Sequence, residues 1–261
     1  MLRLPQADHR PLQNVALPLV VAQARFSGGA ELDGGVLSRF QELLEEAGIR
    51  MARVSPLELN QVIFGTTTPE PVTSRTSGYQ LISADGEWTA TITTDSVALE
   101  TPAFRSYEEN FRPRWHQLVI GATDILNPIS LTRSGLRFVN LMRLPERHPD
   151  SEWARWMRPS LVAVLDDVWL SEGMLAFSQQ LQLDIGDGFR CGLRSGPTDD
   201  GNYLLDLDNY GESGALWTLE RVMDEFDKLN ARGVAVFQSM ISAEMLGNLR
   251  GDEVPEGGQD E

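Results

Sequence analysis

Two carboxylates lie two residues apart in a strand-like run near the end of the chain. Asp206 and Asp208 alternate with leucines, so both acids point to the same face of a predicted strand. Paired carboxylates can bind a hard cation or transfer protons, and Asp184, Asp199 and Asp200 could approach them. That arrangement would suit a metal-dependent hydrolase. Acids on the solvated face of a sheet need no such role, and we favour that simpler interpretation.

Two arginines occupy corresponding places in the two halves of the chain. Arg25 lies in Ala24-Arg25-Phe26, and Arg137 lies in Leu136-Arg137-Phe138, with Asn140 three residues further on. An arginine inside a strand usually has an acidic partner or faces a ligand. Pairing across the sheet with Glu100, Asp206 or Asp208 is the favoured explanation. Recognition of an anionic ligand or nucleotide by Arg25, Arg137 and Asn140 is the alternative.

Tryptophans are concentrated in the second half of the chain. Trp153 and Trp156 are three residues apart on a predicted helix and share a face, and Trp169 and Trp217 follow. Packing in the core is the favoured interpretation. If the first pair were exposed, it would mark a surface for a protein partner.

Several classes of active site lack the residues they need. Cys191 is the only cysteine, and His9, His116 and His148 have no ligand-like spacing, so we expect no metal site. No serine has the surroundings of a nucleophile elbow. The sequence therefore predicts no catalytic residue and no cofactor, and it favours a protein that is not an enzyme.

The chain is strongly acidic. Its net charge is −16, and Lys228 is the only lysine among 22 basic residues. A negative chain repels phosphate backbones, which disfavours nucleic acid and favours a basic protein partner. No apolar run is long enough to span a membrane, and Met1 to Arg10 lacks the apolar core of a secretory signal. We therefore expect a cytoplasmic protein with no membrane segment.

A hairpin signal occurs twice. Strand-like alternation, an Asp-Gly pair and an aromatic restart are found in Gln80–Trp88 and again in Gln182–Phe189. Each copy is followed by one more strand, Ser96–Glu100 or Tyr203–Asp208. Helices are predicted at four places, which are Val36–Ala47, Tyr107–Leu126, Glu152–Leu170 and Trp217–Leu249. Pro159 could break the third helix. The last stretch is one long helix or two in succession, with Gly233 either tolerated within it or placed at the break.

The order strand, helix, strands with a hairpin, helix therefore runs twice. We assign residues 1–126 to the first half, 127–250 to the second half, and 251–261 to a disordered acidic tail. The fold class is α+β, with a broad, mostly antiparallel sheet, helices on one face and two pseudo-symmetric halves. The topology is similar to TATA-binding-protein-like and helix-grip folds, which by itself implies no function. Gly65–Ser77 is predicted to be a loop.

Four stretches carry a family resemblance. They are the strand ending at Phe26, the run Tyr79–Thr101, the segment Arg133–Asn140, and the helix with Phe237–Ile241. These residues are similar to a bacterial family that is sporadically distributed among genomes and has no established activity. The chain departs from the family pattern at Asn230, where a histidine is common, and in its first strand, which lacks an acidic residue. The resemblance implies a fold and no reaction.

Sporadic distribution in the resembling family and the acidic charge suggest an accessory role. The leading hypothesis is a non-enzymatic interaction protein, such as an antitoxin, an immunity protein or a component of phage defence. It would bind a protein partner through the polar sheet face or the tryptophan-bearing helix. The alternative is a module that binds a small anionic ligand. Homodimerisation stays open.

Overall fold

A computed structural model of the chain describes residues 1–10, 12–13, 16–46, 48–63, 72–144, 153–165, 167–171 and 173–252. The acidic tail predicted for 251–261 lies outside these residues from 253 onward. So do residues 65–71 at the start of the Gly65–Ser77 stretch and the first residue of the predicted Glu152–Leu170 helix.

Nine strands are present in the described part of the chain. They are β1 (Ala16–Ser27), β2 (Met51–Ile63), β3 (Val72–Ser83), β4 (Thr89–Thr93), β5 (Ser96–Thr101), β6 (Ser130–Met142), β7 (Gln179–Gly186), β8 (Phe189–Pro197) and β9 (Tyr203–Glu212). They form one open antiparallel sheet in the order β2-β3-β4-β5-β1-β6-β9-β8-β7. This confirms the α+β class and the broad antiparallel sheet.

The helices connect these strands. They are α1 (Gly34–Glu46), α2 (Arg112–Gly121), α3 (Pro159–Val162), α4 (Val168–Ser171), α5 (Leu219–Met240) and α6 (Ala243–Arg250). A π-helical turn precedes α2 at Tyr107–Phe111 and another follows it at Ala122–Leu126, so the predicted helix Tyr107–Leu126 is present over its full length. No helix within the described ranges is long and apolar enough to cross a membrane.

The chain divides into two compact units. Unit 1 comprises Met1–Pro18, Arg137–Tyr210 and Lys228–Glu261, and unit 2 comprises Leu19–Leu136 and Gly211–Asp227.

Unit 2 is organised by alternation in its strands. The side chains of Val20, Ala22 and Ala24 in β1 are fully buried, and Val97 and Leu99 are buried in the neighbouring strand β5. The residues between them are more accessible to solvent. Over the buried face, Glu225 of α5 accepts a hydrogen bond from Ser134 of β6 at 2.8 Å.

Unit 1 shows the same alternation in β9 except at Asp206, which is buried although it lies between Leu205 and Leu207. Leu205 and Leu207 of β9 are fully buried. Gly233 lies in the middle of α5, where a side chain would collide with Asn209 and Phe138. The helix backbone thus lies close to the buried face of the strands. Gly233 is tolerated within the continuous helix α5, which is one of the two alternatives that the sequence left open. The helix break comes between Met240 and Ala243, where Ser242 caps α6.

Both predicted hairpins are confirmed, and their turns differ. In β3–β4, the Ser83 N–H donates to the Trp88 carbonyl at 2.9 Å, which leaves a four-residue loop around Asp85-Gly86. In β7–β8, Gly186 pairs directly with Phe189, and Asp187 and Gly188 both have positive φ, as a two-residue type I′ turn requires. One Asp-Gly signal therefore produces two loop lengths.

Two predictions about elements are wrong. Residues 72–77 belong to β3 and pair with β2, so this part of Gly65–Ser77 is not a loop. The long helix predicted for Glu152–Leu170 is replaced by a 3₁₀ turn at Trp153–Arg155 and by the short helices α3 and α4. Proline at the first position of α3 starts a helix there and cannot continue one.

Candidate functional site

An arginine–aspartate cluster occupies the solvent-facing side of β6, β9 and β8 in unit 1. Asp206 lies on β9, the central strand of the three, with Arg137 on β6 and Arg194 on β8. Arg137 donates from Nε to Oδ1 and from Nη2 to Oδ2 of Asp206, both at 2.7 Å. Arg194 donates from Nε and Nη2 to Oδ2 at 3.1 and 2.7 Å. One carboxylate thus joins three strands.

The burial of Asp206 explains why it needs two partners. Its side chain is only 4% exposed, whereas those of Arg137 and Arg194 are 36% and 56% exposed. Burial raises the pKa of Asp206, but the hydrogen bonds from Arg137 and Arg194 outweigh this effect and lower the pKa below its ordinary value. The hydrogen bonds to Asp206 raise the pKa of Arg137 in turn. Asp206 and Arg137 are therefore both charged at neutral pH.

Asp208 follows on the same face of β9. Gly192 of β8 lies beside it. A β-carbon added to Gly192 would lie 3.9 Å from the Asp208 β-carbon and 3.3 Å from the side-chain Nε2 of Gln182. Asp208 also raises the pKa of Arg137 through its charge. The two carboxylates that the sequence places on one face thus differ in burial. Asp206 is buried between guanidinium groups, and Asp208 is half-buried. The expectation that both acids are solvated is wrong for Asp206.

Arg25 belongs to unit 2 and is exposed. It is opposite Ser96 in the β1–β5 register, and its Nε donates to the side-chain oxygen of Gln23 at 3.3 Å. Among the described residues, then, the predicted arginine–acid pairing is formed by Arg137, while Arg25 binds a neutral amide.

Asn140 lies on the buried face of β6, opposite in direction to Arg137. It is 4% exposed, and its Nδ2 donates to the carbonyl of Leu205 at 2.9 Å. That hydrogen bond joins β6 to β9. Asn140 therefore supports the strands that carry the cluster and is closed to a ligand on the open face.

The tryptophan pair is divided between core and rim. Trp156 is 1% exposed, with the Arg155 guanidinium 5.1 Å from its ring centroid. Trp153 is half-buried and packs at 5.2 Å between centroids against the ring of Tyr203. Core packing, the favoured interpretation, is confirmed for Trp156.

Trp169 is an exposed aromatic residue in the described part of unit 1. Its side chain on α4 is 81% exposed, and Leu175 a few residues later is fully exposed. Val164, Leu170 and Leu181 are each more than a third exposed. We call residues 164–181 the Trp169 segment. The sequence pattern flagged Trp169 as part of a cluster and gave no sign that it differs from Trp156.

Two other features were missed from the sequence. Arg194 is an arginine inside a strand, and the rule that singled out Arg25 and Arg137 would also have found it. In unit 2, Asp227 accepts hydrogen bonds from Tyr107 at 2.9 Å and from Arg112 at 2.7 and 2.8 Å. Burial, followed by the charge of Asp227, raises the pKa of Tyr107 strongly. This three-residue cluster fixes the π-helical turn against α5.

The residues of the arginine–aspartate cluster are held in ion pairs with one another. Within the part of the chain that the structure describes, no group of three or more His, Cys, Asp or Glu residues could hold a metal ion. Both oxygens of Asp206 accept hydrogen bonds from guanidinium groups, one at Oδ1 and three at Oδ2, so the carboxylate is held in ion pairs and is buried. The cluster can join strands and present the outer edges of two guanidinium groups to solvent.

Comparison of the sequence with protein-family models found no match. A search of curated proteins also found no match.

Proposed function

We propose that this protein acts by binding another protein and not by catalysis, and that the Trp169 segment forms its contact surface. The observation that supports this most directly is the exposure of Trp169 and Leu175. Covering apolar surface with a partner is favourable by roughly 25 cal/mol for each Å² removed from water. Exposed tryptophan is also the residue type most enriched among residues that dominate binding energy.

Charge near this surface favours a basic partner. Between Pro159 and Phe189 the chain has five acidic residues and no arginine, lysine or histidine; the acids are Asp166, Asp167, Glu172, Asp184 and Asp187. Complementary charge accelerates encounter with a basic partner and disfavours acidic ones. The overall charge of −16 acts in the same direction.

The arginine–aspartate cluster has a supporting role in this proposal. Its ion pairs and the Asn140 hydrogen bond connect β6, β9 and β8, and β7 pairs with β8. In the chain, β6 precedes the Trp169 segment, and β8 and β9 follow it. Binding residues carried by a connection between rigid elements are a common arrangement.

The biological setting is also a proposal. We propose a cytoplasmic accessory role such as an antitoxin, an immunity protein or a phage-defence component, and membership of the sporadically distributed bacterial family. The two Asp-Gly hairpins support a duplicated unit with TATA-binding-protein-like or helix-grip-like topology. If the two halves arose by duplication, the loops of their hairpins have since diverged in length, because the two turns differ.

The test is recovery of a partner from the native host. Tagged full-length protein is compared with Trp169→Ala and Leu175→Ser, and with Leu216→Ser as the matched control, since Leu216 is a 74% exposed leucine in unit 2. We expect a stoichiometric partner with the wild type and the control, and none with the first two variants. A partner retained by all four proteins would rule out the Trp169 segment, and no stoichiometric partner would rule out the proposal.

A second candidate is binding of a small anionic ligand on the open face of unit 1. Two guanidinium groups on one carboxylate leave one net positive charge, and Arg194 is more than half exposed there. A nucleotide or dicarboxylate that raises the melting temperature of the wild type, but not of Arg194→Gln, would support this candidate.

A further inference from the structure

The strand β7 ends the sheet. It is last in the strand order, and β8 is its single neighbour among the described residues. Gln180, Leu181 and Gln182 are all exposed in this strand, although one of the three faces the opposite side from the other two. Exposure of side chains on both faces is typical of a strand at the edge of a sheet.

One hydrogen bond shows which backbone groups face outward. The Leu2 N–H donates to the Asp184 carbonyl at 2.8 Å, so this carbonyl points away from β8. In an antiparallel pair the N–H and C=O of one residue point to the same side, and successive residues alternate. Gln182 and Gln180 therefore direct their N–H and C=O groups outward as well, with no backbone partner among the described residues.

The usual protection of an edge strand is missing from this part of β7. Proteins discourage strand pairing at an edge with lysine, proline, inward charges or bulges. The run Gln179–Leu183 contains no charged residue and no proline, and its register with β8 is regular until the irregularity at Asp184–Gly186. The alternation of glutamine and leucine also matches what a paired strand needs.

We propose that β7 accepts an extended basic segment of the partner protein as an additional antiparallel or parallel strand, bonded to Gln180 and Gln182. This inference rests on the proposed function and adds its mode of recognition. Backbone hydrogen bonds give affinity in such complexes, and side chains give selectivity. Leu181, 39% exposed, would contact an apolar residue of the added strand.

Charge decides which occupant is favoured. The five acids of 159–189 flank this edge in sequence. Asp184 pairs with the amino group of Met1, and Asp187 pairs with Arg232. The side chains of the two acids nevertheless stay 62% and 69% exposed, so a cation of the partner can still approach them. A second copy of the chain would bring the same five acids and the same net charge, so like charges would meet. A basic segment would instead place arginine or lysine beside these acids.

The probe is a fluorescent peptide of alternating arginine and valine, titrated into the full-length protein. The comparison peptide has the same sequence with N-methyl groups on two successive central amides, which blocks hydrogen bonding along both of its edges. We expect the methylated peptide to bind at least about tenfold more weakly. Amide hydrogen exchange supplies an independent readout, since the amides of Gln180 and Gln182 should exchange more slowly when the unmethylated peptide is bound.

A protein variant tests the same contact from the other side. Gln182→Pro removes one outward N–H and leaves the bonds to β8, because that N–H does not face β8. We expect it to weaken binding of the unmethylated peptide about tenfold. The hydrogen-exchange experiment uses the wild-type protein, so the inference stays testable if this variant fails to fold.

Several outcomes would overturn strand addition. Equal affinity for the two peptides would show attraction by charge alone, and no binding of either peptide would exclude a basic extended segment. Protection of Gln180 and Gln182 in the protein alone, together with a dimer in sedimentation, would make a second copy the occupant. A native partner that binds wild type and Gln182→Pro equally would overturn this inference while leaving the proposed function intact. Failure to recover any native partner would count against the proposed function itself.

Discussion

Arg137 and Asp206 form a two-point ion pair, with both donor–acceptor distances at 2.7 Å and the carboxylate almost completely buried. A buried carboxylate without compensating donors is costly, so this pair and the Arg194 contact are conditions for β9 to occupy the centre of its three strands. The cluster that first suggested chemistry in the sequence is therefore part of the framework of unit 1.

The two arginines should differ in their contribution. Arg137→Met removes two bonds to two oxygens and leaves one of them without a donor, so we expect a loss of about 2 kcal/mol in the free energy of unfolding. Arg194→Met leaves the Arg137 pair intact and removes a more exposed side chain, so the expected loss is about 1 kcal/mol. Urea denaturation of the two variants measures this. The reverse order would contradict the assignment of Arg137 as the principal partner.

The pH dependence of stability should report Asp206. Its folded-state pKa is lowered, so its ionic contribution is present above the ordinary value of 3.8 and is lost as the pH falls from 3.8 through the lowered pKa. The stability difference between wild type and Asp206→Asn should therefore be constant at neutral pH and shrink below about pH 4. Denaturation at a series of pH values checks this, and a difference that stays constant in acid would contradict it.

Glu100 should show the opposite sign. Burial raises its pKa above 4.5, so the folded state holds the proton more tightly than the unfolded state, and stability falls as pH rises through the raised pKa. We expect Glu100→Gln to raise the melting temperature at pH 7 and to have no effect well below pH 4.5. The exposed turn residue Glu87 provides the control, since Glu87→Gln removes the same charge. An equal rise for both variants would point to net charge and not to burial.

The two tryptophans Trp156 and Trp169 should separate stability from binding. Trp156→Ala empties a buried site and should cost about 3–5 kcal/mol, whereas Trp169→Ala should change stability by less than about 0.5 kcal/mol. Recovery of the partner should fail with Trp169→Ala, because this variant folds but lacks the side chain that contacts the partner. A large stability loss in Trp169→Ala would mean that its ring is covered in the protein.

Two helical glycines form a matched pair. Ala normally stabilises a helix relative to Gly by about 1 kcal/mol. A β-carbon on Gly247 has nothing closer than 3.9 Å, so Gly247→Ala should stabilise α6. A β-carbon added to Gly233 would lie 2.8 Å from Nδ2 of Asn209, which is fully buried. Gly233→Ala should therefore cost about 1–2 kcal/mol. Thermal denaturation of both variants tests this, and stabilisation by both would show that α5 can move away from the sheet.

The local pattern predicted the elements well where one principle dominated. Alternation identified β5 and β9 and their apolar faces, an apolar run identified β1, and the Asp-Gly pairs identified both hairpins. The pattern failed at β3, where threonine and proline suggested a loop but threonine is also a good strand residue. It also failed at Pro159, because proline can interrupt a helix or start one, and spacing alone does not distinguish the two.

The candidate site was predictable only in part. Strand parity placed Arg137 and Asp206 on faces that could meet. It could not show that β6, β9 and β8 are neighbours, so Arg194 was missed and Asp206 was expected in solvent. Exposure of Trp169 was also hidden, because a tryptophan in a short helix has the same local signature whether its ring is covered or open.

The single thiol of the chain has a practical use that follows from its position. Cys191 lies on β8 between Arg190 and Gly192, with no solvent exposure, and burial raises its pKa to about 12. The reactive thiolate is therefore nearly absent at neutral pH in the closed protein. Alkylation of Cys191 can proceed only when β8 separates from its neighbouring strands. The alkylation rate of the unmodified protein therefore reports how often unit 1 opens locally.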